Sequence, residues 1–212
     1  MKITKYEHAC LNIEEQGRRL LIDPGTFTTS IPDFANIAAV VVTHVHQDHL
    51  DAEKLKAIHA ANPEVQIYTV QTVADDLKDI VPVHVVTGGQ KAGAGPFQLE
   101  FFGGEHALIH PSYPLTANVG VMVNKLLYYP GDSFAMPHQP VNTLAVPANA
   151  PWLKTSESMD FIVAIKPKRA FPTHNVFLSD LGNNLSNSLL ENSAKTVGAS
   201  YTFLEPRESI SV

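Results

Sequence analysis

The chain reads as an α/β (α+β) protein with two β-sheets and helices packed on their outer faces. Three observations predict this. Apolar runs such as "IAAVVVTH" are continuous and Val-rich, as strands buried on both faces are. Segments of helical length alternate with such runs at both ends of the chain. Between them lies a stretch of strands separated by Gly-rich turns, and two sheets accommodate that order. No segment reads as a linker, so residues 1–212 are expected to form one domain.

The elements follow in order. "KITKY" and "ACLNIE" are short β-prone runs, "EQGR" supplies a turn, and "RLLIDPG" is a strand stopped by Pro24-Gly25. After "IAAVVVTH", "DAEKLKAIHAAN" reads as a helix. Asp51 is its N-cap, Leu55 and Ile58 form its apolar stripe, and Asn62-Pro63 ends it. "VQIYTV" is a strand and "TVADDLKDI" a short helix. From "VPVHVVT" to "YYPGDS" the pattern is strands, with "GGQKAGAG" as a turn. Then come strand "TLAVPA", helix "SESMDFIVAIK", strand "RAFPTH", helix "DLGNNLSNSLLENSAKTV" and strand "YTFLEP".

Composition excludes several classes. A hydrophobic fraction of 44% and a charged fraction of 17% are ordinary for a globular protein with a sizeable core. The one cysteine, Cys10, rules out an internal disulfide framework and a Cys-rich zinc module. No run approaches the ~18 to 20 apolar residues that span a bilayer, and "MKITKYEHACLNIEEQGRR" lacks a signal-peptide core. A cytoplasmic location is therefore expected. The net charge of −6 argues against binding long nucleic acid, and "KPKR" at 166–169 reads as a solvated loop. The composition is compatible with a homo-oligomer.

The functional signal lies in "THVHQDHLD". Residues i and i+2 of an extended segment point the same way, so His44 and His46 can reach one ion together. Asp48 and His49, past the turn toward the helix, can face a second position nearby. Imidazole and carboxylate suit zinc, manganese or ferrous iron. The cluster sits at the carboxyl end of a buried strand, where open α/β sheets tend to place their sites.

"THVHQDHLD" resembles the ligand signature of the metallo-β-lactamase superfamily, whose fold is a four-layer αβ/βα sandwich of two mixed β-sheets with helices on the outer faces. The resemblance runs the length of the chain. It matches the family's third histidine to His106 in "FFGGEHALIHP", its bridging aspartate to Asp132 in "YYPGDS", and its last histidine to His174 in "RAFPTHN". By that resemblance His44, His46 and His106 hold one metal, Asp48, His49 and His174 hold the other, and Asp132 bridges them. His110 and His138 are near-duplicates of the matched residues, and His110 remains an alternative to His106 or a pocket residue.

The resemblance implies two divalent metal ions per chain, zinc first, with manganese or iron as alternatives. It also implies hydrolysis of an ester, lactone or phosphoester of a small metabolite by a metal-bridging hydroxide, with Asp48 and Asp132 as the catalytic carboxylates. Asp23 matches an aspartate that the family carries near the metals. His8, in "YEHAC", is similar to a Gly-His-Ala turn of some members, with Glu7 in place of the glycine. Trp152, Lys154, Tyr113 and Asn175 are pocket candidates: Trp152 to cover the site, Lys154 to meet an anionic group. Leu50-Asp51 resembles the branch of ascorbate-6-phosphate lactonase and N-acylphosphatidylethanolamine phospholipase D, which suggests a lactone or a phosphorylated compound. The alternatives are a phosphodiesterase on a small phosphodiester and a non-catalytic metal-binding sensor or assembly protein.

Overall fold

In the computed structural model, which describes all 212 residues, the first three strands make an antiparallel meander: β1 (Lys2–Lys5), β2 (Leu11–Glu15) and β3 (Arg18–Ile22). The β2–β3 turn is the two-residue Gln16-Gly17, both at positive φ (49° and 73°), which suits the twist of a tight hairpin. The chain then crosses to β4 (Ile37–Val42), parallel to β3, and every one of its six residues is buried. Helix α1 (Ala52–Ala61) follows, β5 (Gln66–Thr69) pairs parallel to β4, and α2 (Gln71–Leu77) leads to β6 (His84–Val85).

The second half opens with β7 (Lys91–Ala94), β8 (Phe97–Phe102), β9 (Gly120–Val123) and β10 (Leu127–Tyr129), all antiparallel. It continues through β11 (Thr143–Pro147), α3 (Thr155–Ile165), β12 (Arg169–Thr173), α4 (Asp180–Thr196) and β13 (Ser200–Tyr201), whose strands pair parallel. A final strand, β14 (Ser209–Ser211), returns to pair with β1.

The result is two seven-stranded mixed sheets, ordered β14-β1-β2-β3-β4-β5-β6 and β13-β12-β11-β10-β9-β8-β7. Read from the opposite end, the second order repeats the first position for position, including the switch from antiparallel to parallel at β3/β4 and at β10/β11. One core cluster of 34 residues joins the sheets and takes in Leu55, Ile58, Val73 and Leu77 from α1 and α2. A second cluster of 12 lies where α3 and α4 cover the other sheet, through Phe161, Ile162, Leu190 and Ala194. No helix is long and apolar enough to cross a membrane.

Helix ends follow their local chemistry. Asp51 caps α1 by accepting from the Lys54 backbone N–H (3.0 Å), and Ser179 caps α4 by accepting from Gly182 (3.2 Å). Three segments differ from expectation. "GGQKAGAG" is not all turn, because its KAGA portion pairs with β8; small side chains suffice at this sheet edge. "YTFLEP" contributes only Tyr201 to β13, and "VPVHVVT" only two residues to β6. β14 was not expected at all. Its three residues are too short a run to read as a strand and are held by pairing with β1.

Candidate metal centre

Six loops at one end of the two sheets converge on a single cluster. The loop after β4 brings Thr43, His44, His46, Asp48 and His49; those after β8, β10 and β12 bring His106, Asp132 and His174. The β1–β2 and β3–β4 loops add His8 and Asp23. Gly25 lets two of these loops touch, since a Cβ there would lie 2.1 Å from the Asp48 carbonyl oxygen. His8, Asp23 and His174 sit in the left-handed backbone region (φ 58°, 47° and 59°), a strain of about 1–2 kcal/mol each that the surrounding bonds must offset. One of those bonds joins the halves: the His174 N–H donates to the His8 carbonyl at 2.9 Å.

The imidazoles are fixed from behind. His49 Nδ1 donates to Asp23 Oδ2 (2.6 Å), His106 Nδ1 to the Ala107 carbonyl (2.5 Å), and His174 Nδ1 to the Asn149 carbonyl (2.6 Å). Thr43 Oγ1 donates to Asp23 Oδ2 (2.7 Å), so its lone pair is left to accept from His44 Nδ1 at 3.0 Å. With Nδ1 carrying a hydrogen in each of these rings, Nε2 faces inward, and in His49 and His174 its lone pair becomes available once the second proton leaves. The Nε2 atoms converge on carboxylates. His49 Nε2 lies 3.2 Å from Asp132 Oδ1; His106 and His174 Nε2 lie 3.4 and 3.2 Å from Asp132 Oδ2. His174 Nε2 is also 3.2 Å from Asp48 Oδ2, and His46 Nδ1 is 3.1 Å from His44 Nε2.

His8 differs. The Val176 N–H donates to its Nδ1 (3.4 Å), which leaves the hydrogen on Nε2 to donate to Asp48 Oδ2 at 2.9 Å. It therefore orients Asp48, with its ring 3.8 Å from that of His174. Trp152 plays the matching part for Asp132, its indole N–H donating to Oδ2 at 2.8 Å.

Electrostatics follow from this packing. Burial, reinforced by neighbouring imidazoles, holds His44 and His46 below the ordinary histidine range. Burial would also lower His174, but the Asp132 and Asp48 carboxylates outweigh it and hold it up at about 9. His49 is likewise held well up, between Asp132 and Asp23. Burial opposes ionisation of Asp132, yet the His49 and His174 charges keep it well below the carboxylate range, and Asp48 is lowered by its bonds to His174 and His8. Burial sends His8 down to about 4, as a neutral donor requires.

The donor set fits divalent metal. Buried Nε2 atoms of His49, His106 and His174 and Asp132 Oδ1 have no hydrogen-bond partner, although all face a shared centre. Donor atoms of His44, His46 and His106 lie within 4.8 Å of one another, and so do those of Asp48, His49 and His174 together with His8.

The cleft over these residues has a volume of about 290 Å³. A larger groove of about 410 Å³ runs along the β2–β3 hairpin and holds none of the histidines. Trp152 lines the cleft, but other pocket expectations need correction. His110 is exposed, its Nδ1 accepting from Ser112 at 3.2 Å, and Tyr113 is 62% exposed; both are carried away from the centre by the turn after His106. Lys154 is exposed at the N-cap of α3. Asn175 donates to Asn183 (2.8 Å) and so ties its loop to α4, not to the cleft. His138 is exposed. Four contributors had no readable sequence signal: Thr43 and Asn118, which brace Asp23 and the Asp132 loop, and Phe27 and Phe177, which line the cleft.

Comparison with known proteins agrees with this architecture. The family model of the beta-lactamase superfamily domain matches residues 2–174. "Protein Rv0786c" of Mycobacterium tuberculosis is 34% identical over 184 residues, covering 84% of this chain and 86% of its own. A "UPF0173 metal-dependent hydrolase" of Ligilactobacillus salivarius is 30% identical over 147 residues, 63% of this chain and 62% of its own. Among solved structures, Igni18, described as a novel metallo hydrolase from Ignicoccus hospitalis, superposes with a TM-score of 0.78 at 19% identity, covering 99% of this chain and 97% of its own. The chain thus belongs to the beta-lactamase superfamily and has the metallo-β-lactamase fold.

Proposed function

We propose that this protein is a dinuclear metal-dependent hydrolase of a small molecule, acting on an ester, lactone or phosphoester bond. The observation that carries the reading is the convergence of unpartnered Nε2 atoms and Asp132 Oδ1 on one buried centre. The names of the Ligilactobacillus and Ignicoccus relatives support it. In this reading His44, His46 and His106 hold one ion, Asp48, His49 and His174 the second, and Asp132 lies between them. Bound divalent ions there, zinc first, would supply Lewis acidity and bring the pKa of water from 15.7 toward ~7.

The chain's own groups do the rest. Asp48 has a side chain 15% exposed against 5% for Asp132, so it is the carboxylate more open to the cleft and the one placed to orient an attacking water. His8 Nε2–H keeps Asp48 Oδ2 turned toward the centre, and Trp152 Nε1–H does so for Asp132 Oδ2. Phe27, Ile109 and Phe177 narrow access for bulk water around the bond to be cleaved.

Elemental analysis of protein purified without chelator, or reloaded with zinc or manganese, should find close to two equivalents per chain, and Asp132→Ala should lower that occupancy. Single-turnover assays on esters, lactones and phosphodiesters should then show metal-dependent cleavage. Two bound ions without cleavage of any class would favour a metal-binding sensor instead; no bound metal would overturn the reading altogether.

A further inference from the structure

Apart from the candidate ligands, six residues line the cleft: Phe27, Gln47, Ile109, Pro151, Trp152 and Phe177. Five are apolar and the sixth is uncharged. No lysine or arginine is among them. Of the two lysines nearest in sequence to its walls, one is engaged elsewhere and the other lies exposed outside the lining. Lys54 Nζ donates to the Gly25 and Thr28 carbonyls (2.6 and 2.8 Å) and pairs with Asp51 (3.3 Å), while exposed Lys154 starts α3. A substrate carrying a phosphate or carboxylate away from the reacting bond would find no cationic side chain among these walls to receive it.

The apolar residues form a built surface drawn from both halves of the fold. Phe27 and Phe177 meet edge to face, ring centroids 5.6 Å apart at 90°, and each packs against His8 (5.3 and 5.4 Å). Trp152 is held by Phe134 (5.3 Å) and His106 (5.8 Å), and its N–H is already engaged by Asp132, so only its apolar faces remain to offer. Phe177 is nevertheless 59% exposed, a large aromatic left in water where covering it would be favourable.

Building on the hydrolase reading, we propose that the cleft selects an uncharged substrate that presents an aromatic or other flat apolar group beside the bond to be cleaved, with Phe27, Trp152 and Phe177 as its specificity-determining residues. A phosphorylated metabolite is not what this wall recognises.

Trp152 is the only tryptophan of the chain, so its emission reports on the cleft without need for turnover. Full-length protein, metal-free and zinc-loaded, is titrated with N-benzylacetamide and with its para-sulfonated counterpart. The uncharged probe should bind at least about tenfold more tightly in both forms, and Phe177→Ala should weaken it by roughly tenfold. Leu185→Ala, an exposed change on α4 outside the cleft, should leave binding unaltered. In parallel, zinc-loaded protein is assayed on benzyl acetate and sulfobenzyl acetate. The uncharged ester should have the higher kcat/KM, and Phe177→Ala should raise its KM more than it lowers kcat. Equal or tighter binding of the sulfonate, or no effect of Phe177→Ala on the uncharged probe, overturns the inference. If the probes are discriminated but neither these esters nor the lactones and phosphodiesters of the single-turnover assays are cleaved, the specificity of the cleft stands and the hydrolase reading fails.

Discussion

Asp23→Asn tests how the fold prepares the centre. Asp23 is fully buried and accepts three hydrogen bonds, from Thr43 N and Thr43 Oγ1 (both 2.7 Å) and from His49 Nδ1 (2.6 Å). Asparagine retains one oxygen. If its NH₂ replaces Oδ1, it meets the Thr43 backbone N–H donor to donor; if it replaces Oδ2, it meets the His49 N–H. Either orientation strands a buried donor, at about 1–3 kcal/mol, and removes a charge-assisted bond of about 1.5–3 kcal/mol. The expected loss is about 3–5 kcal/mol in urea unfolding of metal-free protein. The second orientation also drives the His49 hydrogen to Nε2, the atom that faces the centre. Zinc affinity, measured against a chromophoric chelator, should therefore fall by about 10–100-fold. A stability loss below 1 kcal/mol would refute the packing argument. Loss of stability with zinc affinity unchanged would refute the tautomer argument alone.

Three further outcomes are expected. His174, held up at about 9, and His49, held higher than its ordinary value, carry protons in metal-free protein at neutral pH, so metal binding must release them. Calorimetry at pH 7.5 in buffers of different protonation enthalpy should find about two protons released per chain, with affinity rising with pH from neutral through 9; release of none would refute the assignment. Lys5 is buried, which lowers it from 10.5 to about 8 despite Glu205 and Glu7, so the unfolded chain binds the extra proton between those values and stability rises with pH across them. Lys5→Met should add up to about 3 kcal/mol at neutral pH, from 2.5 pH units at ~1.36 kcal/mol each, and the gain should vanish as pH rises to 10.5; a gain independent of pH would refute it. Gly131 has φ +64°, and a Cβ there would lie 2.3 Å from Asn118 Oδ1 and 2.9 Å from Thr43. Gly131→Ala should cost about 2–5 kcal/mol, roughly 5–15 °C in Tm, and displace Asp132; an unchanged Tm would show that the turn can relax.

How much of this was legible in the sequence depends on the range of the interaction. His44, His46, Asp48 and His49 announce themselves because local spacing alone decides that they share a loop. The run behind them is readable for the same reason, since β4 is buried on both faces. Phe27 and Phe177 are 150 residues apart, and nothing local to either says that their rings meet. Lys154 shows the opposite error. Its place beside Trp152 suggested a cleft cation, but the start of α3 turns it outward. Leu50-Asp51 suggested a branch with phosphorylated or lactone substrates; in the fold Leu50 packs on the core and Asp51 caps α1. Those roles concern folding, and they leave the substrate to residues that no local pattern singles out.

The repeat between the halves explains why two aspartates in equivalent places do different work. Asp23 follows β3 and Asp132 follows β10, and each of those strands pairs antiparallel with the one before it and parallel with the one after it. Position alone would therefore give both carboxylates the same part. What separates them is occupancy. Both Asp23 oxygens are taken, by Thr43 and His49, so it can only orient an imidazole. In the second half the bracing of the turn is done by Asn118, whose side chain accepts from the Asp132 N–H (3.0 Å) and donates to the Pro130 carbonyl (2.9 Å). That frees the Asp132 carboxylate, and its Oδ1 stays buried without a hydrogen-bond partner. A fold repeated twice thus yields one carboxylate spent on holding a ligand and one left open to be a ligand, and the difference rests on whether the aspartate itself or a neighbouring asparagine accepts the backbone's hydrogen bond.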